Sequence, residues 1–166
     1  MTADCKYLEA ATTNGTATST WTPATTAPWC SSSTDVMAVE RRAASLEIGR
    51  GRANTNMITG CSTASAASIA KAYNGGGKTD WSLPSKKELN ELCKYARTQT
   101  TGNTAEICGN SGALRSGFNG GPNDRHWSSS EYNETYAWFQ KFDLGGSDAN
   151  LKTNSNLNYV RPVRAS

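Results

Sequence analysis

The residues that could carry out nucleophilic or acid–base chemistry are few and scattered. His126 is the only histidine of the chain, and Ser128 and Ser130 follow it closely. A Ser-His-Asp triad has to use this histidine, but neighbours on one strand cannot present nucleophile and base to each other by spacing alone. We therefore interpret His126 as a loop residue without a catalytic role.

The carboxylates show no spacing that indicates catalysis. They are dispersed over Asp80, Glu88, Glu91, Glu131, Glu134, Asp143 and Asp148. A glycosidase needs two carboxylates at a fixed separation, and nothing points to such a pair. Glu88 fits a helix cap, and Glu131 is expected to anchor hydrogen bonds between strands. The sequence thus predicts no enzyme, with a glycan hydrolase using Glu131, Asp143 or Asp148 as a remote alternative.

Two glycine-rich segments could hold a phosphate or a metal ion. Residues 75–79 (GGGKT) lack the spacing of a phosphate-binding loop and have no apolar strand before them, so we interpret them as a turn. Residues 119–124 (NGGPND) offer oxygen ligands for calcium, but the full calcium-loop spacing is missing. A turn built from Asn, Asp and Gly is the preferred interpretation, and no metal or cofactor is predicted.

The cysteines leave the redox state open. They lie at positions 5, 30, 61, 93 and 108, and no pair has the C-x-x-C spacing of structural zinc sites. An odd number leaves one thiol unpaired within the chain. One or two disulfides are compatible with the sequence, with Cys93 and Cys108 closest together, and so are fully reduced thiols.

Length and composition favour a single domain over residues 1–166, with two small domains as the weaker alternative. Hydrophobic residues make up only 36% of the chain, and 15 glycines indicate that loops take a large share. Five tryptophans and six tyrosines compensate, because each buries a large area and keeps a polar group available. We expect a small aromatic core under long ordered loops.

The charge pattern excludes some partners. The net charge of +3 is spread along the chain, whereas a nucleic-acid-binding protein concentrates Lys and Arg on one stripe. No segment reaches the roughly 20 apolar residues of a membrane span. No charged-then-apolar signal peptide opens the chain, which is compatible with an upstream leader or anchor that this sequence lacks.

The periodicity predicts several helices before residue 98. Residues 35–48, a helix capped by Asn54 or Thr55, and residues 65–73 are predicted as short helices. The strongest signal is residues 86–97, where Ser85 and Glu88 form a capping box. The apolar face of this helix consists of Leu89, Leu92, Cys93 and Ala96.

The remaining segments are predicted as loops and strands. A first strand lies in residues 5–10, and residues 11–34 form a loop pinned to the core by Trp21 and Trp29. Residues 99–126 are a loop anchored by Ile107, Leu114 and Phe118. Further strands are predicted at 127–130, 136–143 and 159–164, the last with an edge or bulge at Pro162. Alternation places Trp138, Gln140 and Phe142 on one face of the second of these, opposite Phe139, Lys141 and Asp143.

Six sequence blocks, taken in order, resemble a known family. They are YLEAA at 7–11, IGRGRANT at 48–55, DWSLPSKKEL at 80–89, WSSSE at 127–131, AW at 137–138 and VRPVRA at 160–165. Together they resemble the prokaryotic and phage domains of the DUF1566 type. That group has a C-type-lectin-like fold and includes variable proteins of diversity-generating retroelements. The match spans nearly the whole chain.

The resemblance implies an α+β, C-type-lectin-like fold with its first and last strands paired, two or more helices and long ordered loops. It implies a ligand-binding receptor or adhesin on a cell surface or virion, whose surface at about 119–158 is diversified by a retroelement. The ligand is expected to be a protein or glycan on another cell or virion. A fixed-specificity adhesin or structural domain of the same fold is the alternative.

The resemblance also implies which residues vary and contact the ligand. They are Tyr132, Asn133, Tyr136, Phe139, Lys141, Leu144, Ser147, Asp148, Asn150, Leu151 and Asn154. Strand alternation agrees with exposure at Phe139 and Lys141, and an exposed aromatic side chain is a typical contact anchor.

The chain departs from relatives that share the wider fold. No cysteine follows Cys108, so the activity of formylglycine-generating enzymes is not carried over. The Glu-Pro-Asn, Gln-Pro-Asp and Trp-Asn-Asp motifs of calcium-dependent lectins are missing too. The chain ends in Ala165 and Ser166 where the family often ends in Phe.

Overall fold

The computed structural model describes residues 8–11, 26–31, 35–118, 124–153 and 158–165. Over these residues the protein is an α+β domain with four α-helices and seven short strands in two sheets. The predicted α+β class is therefore confirmed. Trp21, Cys5 and the turn at 119–123 lie outside the described residues, so the predictions made for them stay predictions.

The helices are short except for the last. They are α1 (Val39–Ser45), α2 (Gly51–Met57), α3 (Ala66–Ala72) and α4 (Lys86–Ala96). Residues 75–77 form a 3₁₀ turn, as expected of a plain glycine turn. None of the helices in the described part of the chain is long and apolar enough to cross a membrane.

Helix α4 has the capping box that its sequence predicts. The Ser85 hydroxyl accepts the backbone N–H of Glu88, and the Glu88 carboxylate accepts that of Ser85 at 2.7 Å. The second carboxylate oxygen accepts Gly49 N–H at 2.7 Å, which ties the start of α4 to the loop before α2. The predicted apolar face is buried.

Helices α1 and α2 begin at different residues from those predicted. Helix α1 begins at Val39 rather than 35, because Val36 and Met37 turn their backbone N–H groups to the Glu131 carboxylate. Helix α2 begins at Gly51, so Asn54 lies inside the helix and does not cap it. A Cβ at residue 51 would lie 2.5 Å from a backbone oxygen, and this close packing explains the glycine.

The first and last strands pair, as the resemblance implied. Strand β1 (Leu8–Ala10) is antiparallel to β7 (Val163–Ala165). Ser82 bridges Val163 on the other side of β7, with backbone hydrogen bonds of 2.8 and 2.9 Å.

The second sheet has five strands. They are β2 (Thr26–Ala27), β3 (Arg125–Glu131), β4 (Tyr136–Lys141), β5 (Ser147–Leu151) and β6 (Asn158–Tyr159). Their order is β2-β6-β3-β4-β5, and every pair is antiparallel except β3 with β6. Strand β5 was not predicted, and the predicted last strand is interrupted. Pro162 has no backbone N–H to donate, and its carbonyl accepts Ala11 N–H at 2.9 Å. Strand pairing therefore resumes only at Val163, in β7.

The centre of this sheet is buried on both faces. Ala137 and Phe139 of β4 join one core cluster, which also contains Trp29, Ala66, Ala67, Ala70, Leu83 and Trp127. The opposite face packs on α4, whose cluster contains Leu89, Leu92, Cys93, Ala96, Phe142 and Val163. Trp138, Gln140 and Phe142 lie on one face of the sheet, as predicted. The other face is not exposed, however, because a core cluster packs on each side of the sheet.

Two disulfides pin the long loops. Cys30 bonds Cys61, and Cys93 of α4 bonds Cys108. Arg97 adds hydrogen bonds from its guanidinium to the carbonyls of Asn110, Ser111, Phe142 and Asp143.

The loop anchors Leu114 and Phe118 pack on the α4 cluster as predicted. Ile107 is 71% exposed, so its predicted anchoring role is wrong and Cys108 takes it instead.

His126 lies within strand β3, fully buried, so its interpretation as a loop residue is wrong. Its ring packs between Phe142 and Tyr159, with centroids 4.4 and 5.5 Å away. Its Nδ1 lies 3.2 Å from the Asp124 carboxylate without hydrogen-bond alignment. Burial lowers the pKa of His126 well below its usual value, and the charge of Arg161 lowers it further.

The neutral state of His126 predicts a loss of stability in acid. The unfolded chain protonates this residue near pH 6.5 and the folded chain does not, so protons favour unfolding. Below about pH 6.5 this group alone removes up to about 1.4 kcal/mol of unfolding free energy per pH unit. His126→Phe keeps an aromatic ring and removes the titration.

Urea unfolding of both proteins from about pH 7 to 5 measures this slope. We expect a shallower pH dependence for the variant by that amount. Equal slopes would show that folding does not lower the pKa of His126.

Candidate ligand-binding surface

Helix α4 covers only part of its side of the five-stranded sheet. Gln140 is buried under it, with its amide donating to Cys93 Sγ at 3.6 Å. Trp138, two residues earlier on β4, points to the same face but lies beneath the first residue of the helix and is half-buried. Tyr136, two residues earlier again, lies beyond α4 and is 38% exposed. The helix therefore leaves one end of this sheet face open.

The open end carries four large side chains, which we call the aromatic surface: Tyr132, Tyr136, Trp138 and Leu151. Leu151 is the cross-strand partner of Tyr136 and is 39% exposed. Tyr132 is 50% exposed and packs edge-on against Trp138, with centroids 5.0 Å apart. A shallow recess of about 310 Å³ is lined by Tyr132, Tyr136 and Trp138 together with Asn133, Asp148 and Ala149.

The turn between β3 and β4 holds these residues in place. The Tyr136 carbonyl accepts the N–H groups of Tyr132 and Asn133 at 3.0 and 3.1 Å. The Asn133 side-chain oxygen accepts those of Thr135 and Tyr136 at 2.9 and 2.8 Å. This Asx-type turn fixes the backbone without using the aromatic side chains.

Lys86, the first residue of α4, forms the edge of the surface. Its Nζ lies 3.5 Å from the centroid of the Trp138 ring, a cation–π contact. Its backbone N–H donates to Ser130 Oγ at 3.0 Å, which ties the helix start to β3. Burial lowers the pKa of the Lys86 amino group, and the neighbouring Lys87 lowers it further. Sequence reasoning missed Lys86, because it lies far along the chain from the other residues.

A bulge in β3 explains the serines of the WSSSE block. Trp127 pairs with Phe139 but Glu131 pairs with Ala137, so β3 holds two more residues than β4 between these pairs. Ser128 Oγ bonds the Trp138 carbonyl at 2.9 Å, and Ser129 N–H bonds the Pro84 carbonyl at 2.7 Å. The bulge directs the serines to the elements around β3. It thereby joins the aromatic surface to the start of α4.

Glu131 ends this block as a fully buried carboxylate. It accepts the backbone N–H groups of Val36 and Met37, both at 3.1 Å, and lies 3.4 Å from Arg42 Nε. It also pairs with the fully buried ammonium of Lys152. Lys152 in turn donates to the Glu134 carbonyl at 2.7 Å, inside the turn that carries Tyr132. Glu131 is a hydrogen-bond anchor as predicted, but its partners lie before α1, on α1 and after β5 rather than on neighbouring strands. Its carboxylate is out of reach of a substrate.

The residues predicted to contact ligand lie in three environments. Five are exposed: Tyr132, Tyr136, Leu144, Asp148 and Leu151. Four are half-buried: Asn133, Lys141, Ser147 and Asn150. Phe139 is 4% exposed and packs on Trp127, so the prediction of an exposed anchor there is wrong. Trp138 takes that place instead, and Asn154 lies outside the described residues.

The described residues contain no group of three or more His, Cys, Asp or Glu side chains that could hold a metal ion. Another cleft, of about 580 Å³, lies beside β1 and β7 and is lined by Arg50, Arg52 and Arg164. Arg164 is already paired with Glu9 and Asp80. This cleft lies among residues that the sequence did not assign to a site.

The architecture is that of a disulfide-linked α+β domain with one uncovered sheet end. Residues 52–164 match the family model of the Lcl C-terminal domain. Because the match covers more than half of the chain, the protein belongs to this family, which is of the DUF1566 type that the sequence blocks indicated. Comparisons with curated proteins and with solved structures gave no match.

The buried pair below the surface predicts a large effect of Lys152→Met. Removing the ammonium leaves the Glu131 carboxylate buried with fewer partners, which costs roughly 3–5 kcal/mol of unfolding free energy. Combining Lys152→Met with Glu131→Gln should cost less than the sum of the two single changes, because the unpaired charge is gone.

Urea unfolding with disulfides intact measures these energies. The matched control is Lys141→Met, whose ammonium lies 3.9 Å from the exposed Asp148 carboxylate and contributes under about 1 kcal/mol. Similar losses for Lys152→Met and Lys141→Met would contradict the role of the buried pair.

Proposed function

We propose that this chain is a ligand-binding module with a C-type-lectin-like fold that binds another macromolecule through the aromatic surface. The observation that carries the proposal is the uncovered sheet end, where Tyr132, Tyr136, Trp138 and Leu151 lie side by side. Folding alone gains little from leaving such side chains in water. Clustered exposed aromatic residues are typical of interaction sites.

Rigidity supports the same function. Tyrosine and tryptophan supply a large contact area at low entropic cost, since each has two side-chain torsions. Here the turn hydrogen bonds, the Tyr132–Trp138 contact and Lys86 already restrict them. A surface ordered before binding loses less entropy when it binds. This favours a receptor or adhesin role.

The two disulfides support a location outside the reducing cytoplasm. Cys30–Cys61 and Cys93–Cys108 persist in oxidising compartments such as the cell exterior. We therefore propose display on a cell surface or virion. A hydrolase remains the remote alternative, and the burial of Glu131 leaves it fewer candidate carboxylates.

Tyr132→Ala and Tyr136→Ala should each weaken ligand binding by about thirtyfold, the roughly 2 kcal/mol expected of an interface hot spot. Ligands are first obtained by screening the whole chain against a displayed random peptide library and a glycan array. Affinities are then measured for each variant. The matched control is Tyr95→Ala, because Tyr95 is also 50% exposed but lies on α4 away from this surface. Binding that depends on Tyr95 and not on Tyr132 or Tyr136 contradicts the proposal.

We further propose that a retroelement diversifies this surface. Sequencing codons 119–166 in the source population should show substitutions concentrated at exposed positions such as Tyr132, Tyr136 and Leu151. Trp127, Glu131 and the buried Phe139 should stay constant, because their side chains build the core. Even or absent substitution would instead favour a fixed-specificity adhesin or structural domain.

A further inference from the structure

The position of Lys86 is unfavourable for helix stability. A positive charge in the first turn opposes the helix dipole. The backbone N–H groups at the start of α4 are already satisfied, since Lys86 N–H donates to Ser130 Oγ and Lys87 N–H donates to the Leu46 carbonyl. The charge of Lys87 is paired, because its Nζ lies 2.6 Å from a carboxylate oxygen of Glu47. Lys86 has no carboxylate within ion-pair distance among the described residues.

The Trp138 ring holds the Lys86 ammonium at the border of the aromatic surface. The ring contact restricts a side chain that otherwise has about 2 kcal/mol of rotamer entropy. Burial on the ring also removes part of the water around the ammonium. A carboxylate arriving here therefore meets a fixed, partly desolvated charge that no described carboxylate neutralises, which strengthens the ion pair over an exposed one.

We infer that Lys86 makes the aromatic surface selective for an acidic peptide segment, in which an Asp or Glu lies beside an apolar or aromatic side chain. This inference rests on the proposed function. The carboxylate pairs with Lys86, and the neighbouring side chain packs on Tyr136 and Leu151. The exposed Leu151 and the adjacent Ala149 offer apolar contacts to that side chain, beside the polar Asn133 and Asp148 of the recess.

The test uses the full, disulfide-intact chain and a displayed random peptide library. Panning is carried out in parallel on the wild type, Lys86→Met and Lys87→Met. Methionine keeps the length and the apolar stem of lysine, so packing on Trp138 is preserved. Lys87→Met is the matched control, because it removes an adjacent charge that is already paired. Only peptides that lose binding to Tyr136→Ala are analysed.

The expected result is enrichment of Asp or Glu next to an apolar residue with the wild type and Lys87→Met, and its loss with Lys86→Met. Individual acidic peptides should bind Lys86→Met about tenfold more weakly. Their binding to the wild type should weaken with salt more than their binding to Lys86→Met.

Two other outcomes separate this inference from the proposed function. Tyr136-dependent peptides without acidic enrichment, or with enrichment that survives Lys86→Met, overturn the role of Lys86 and leave the binding surface intact. The same three proteins are also tested on a glycan array, and if no peptide depends on Tyr136 while acidic glycans bind through Lys86, the assignment to a peptide is overturned. If nothing binds through Tyr136 at all, both proposals are overturned.

Discussion

The structure depends on one buried charge, the carboxylate of Glu131. A carboxylate without water is tolerated only when its partners satisfy it, and these come from three places in the chain. Val36 and Met37 supply backbone N–H groups, Arg42 lies on α1, and Lys152 follows β5. Meeting this single requirement fixes the approach to α1, the far end of the β4–β5 hairpin and the turn that carries Tyr132.

Coverage of the sheet decides which of its side chains stay exposed. Alternation along β4 defines two faces. In many antiparallel sheets one of the two faces is exposed to solvent. Here the core cluster that contains Trp29 and Trp127 covers one face and α4 covers the other, so Phe139 and Gln140 are both buried. Among the residues that the structure describes, the end beyond Lys86 is the part of the α4 side that stays uncovered. The length of one helix thereby sets the extent of the aromatic surface.

Local signals in the sequence were sufficient for the parts of the fold that local interactions control. The Ser85–Glu88 capping box, the apolar face of α4 and the break at Pro162 each follow from chemistry within a few residues. The burial of Phe139 could not be predicted in this way, because it depends on Trp127 and on how many layers cover the sheet. Lys86 was missed for the same reason, since its contact with Trp138 joins residues far apart in sequence.

Different residues specify the backbone and form the exposed aromatic surface. Serines 128–130, Glu131 and Lys152 specify the backbone through directional bonds, so the scaffold gains little from the side chains of Tyr132, Tyr136 and Leu151. Changes at such exposed positions usually alter stability by under about 0.5 kcal/mol. Trp138 differs, because it touches both Tyr132 and Lys86 and thus couples the surface to α4. On a surface organised in this way the tyrosines can be replaced while the tryptophan keeps the charge of Lys86 in place.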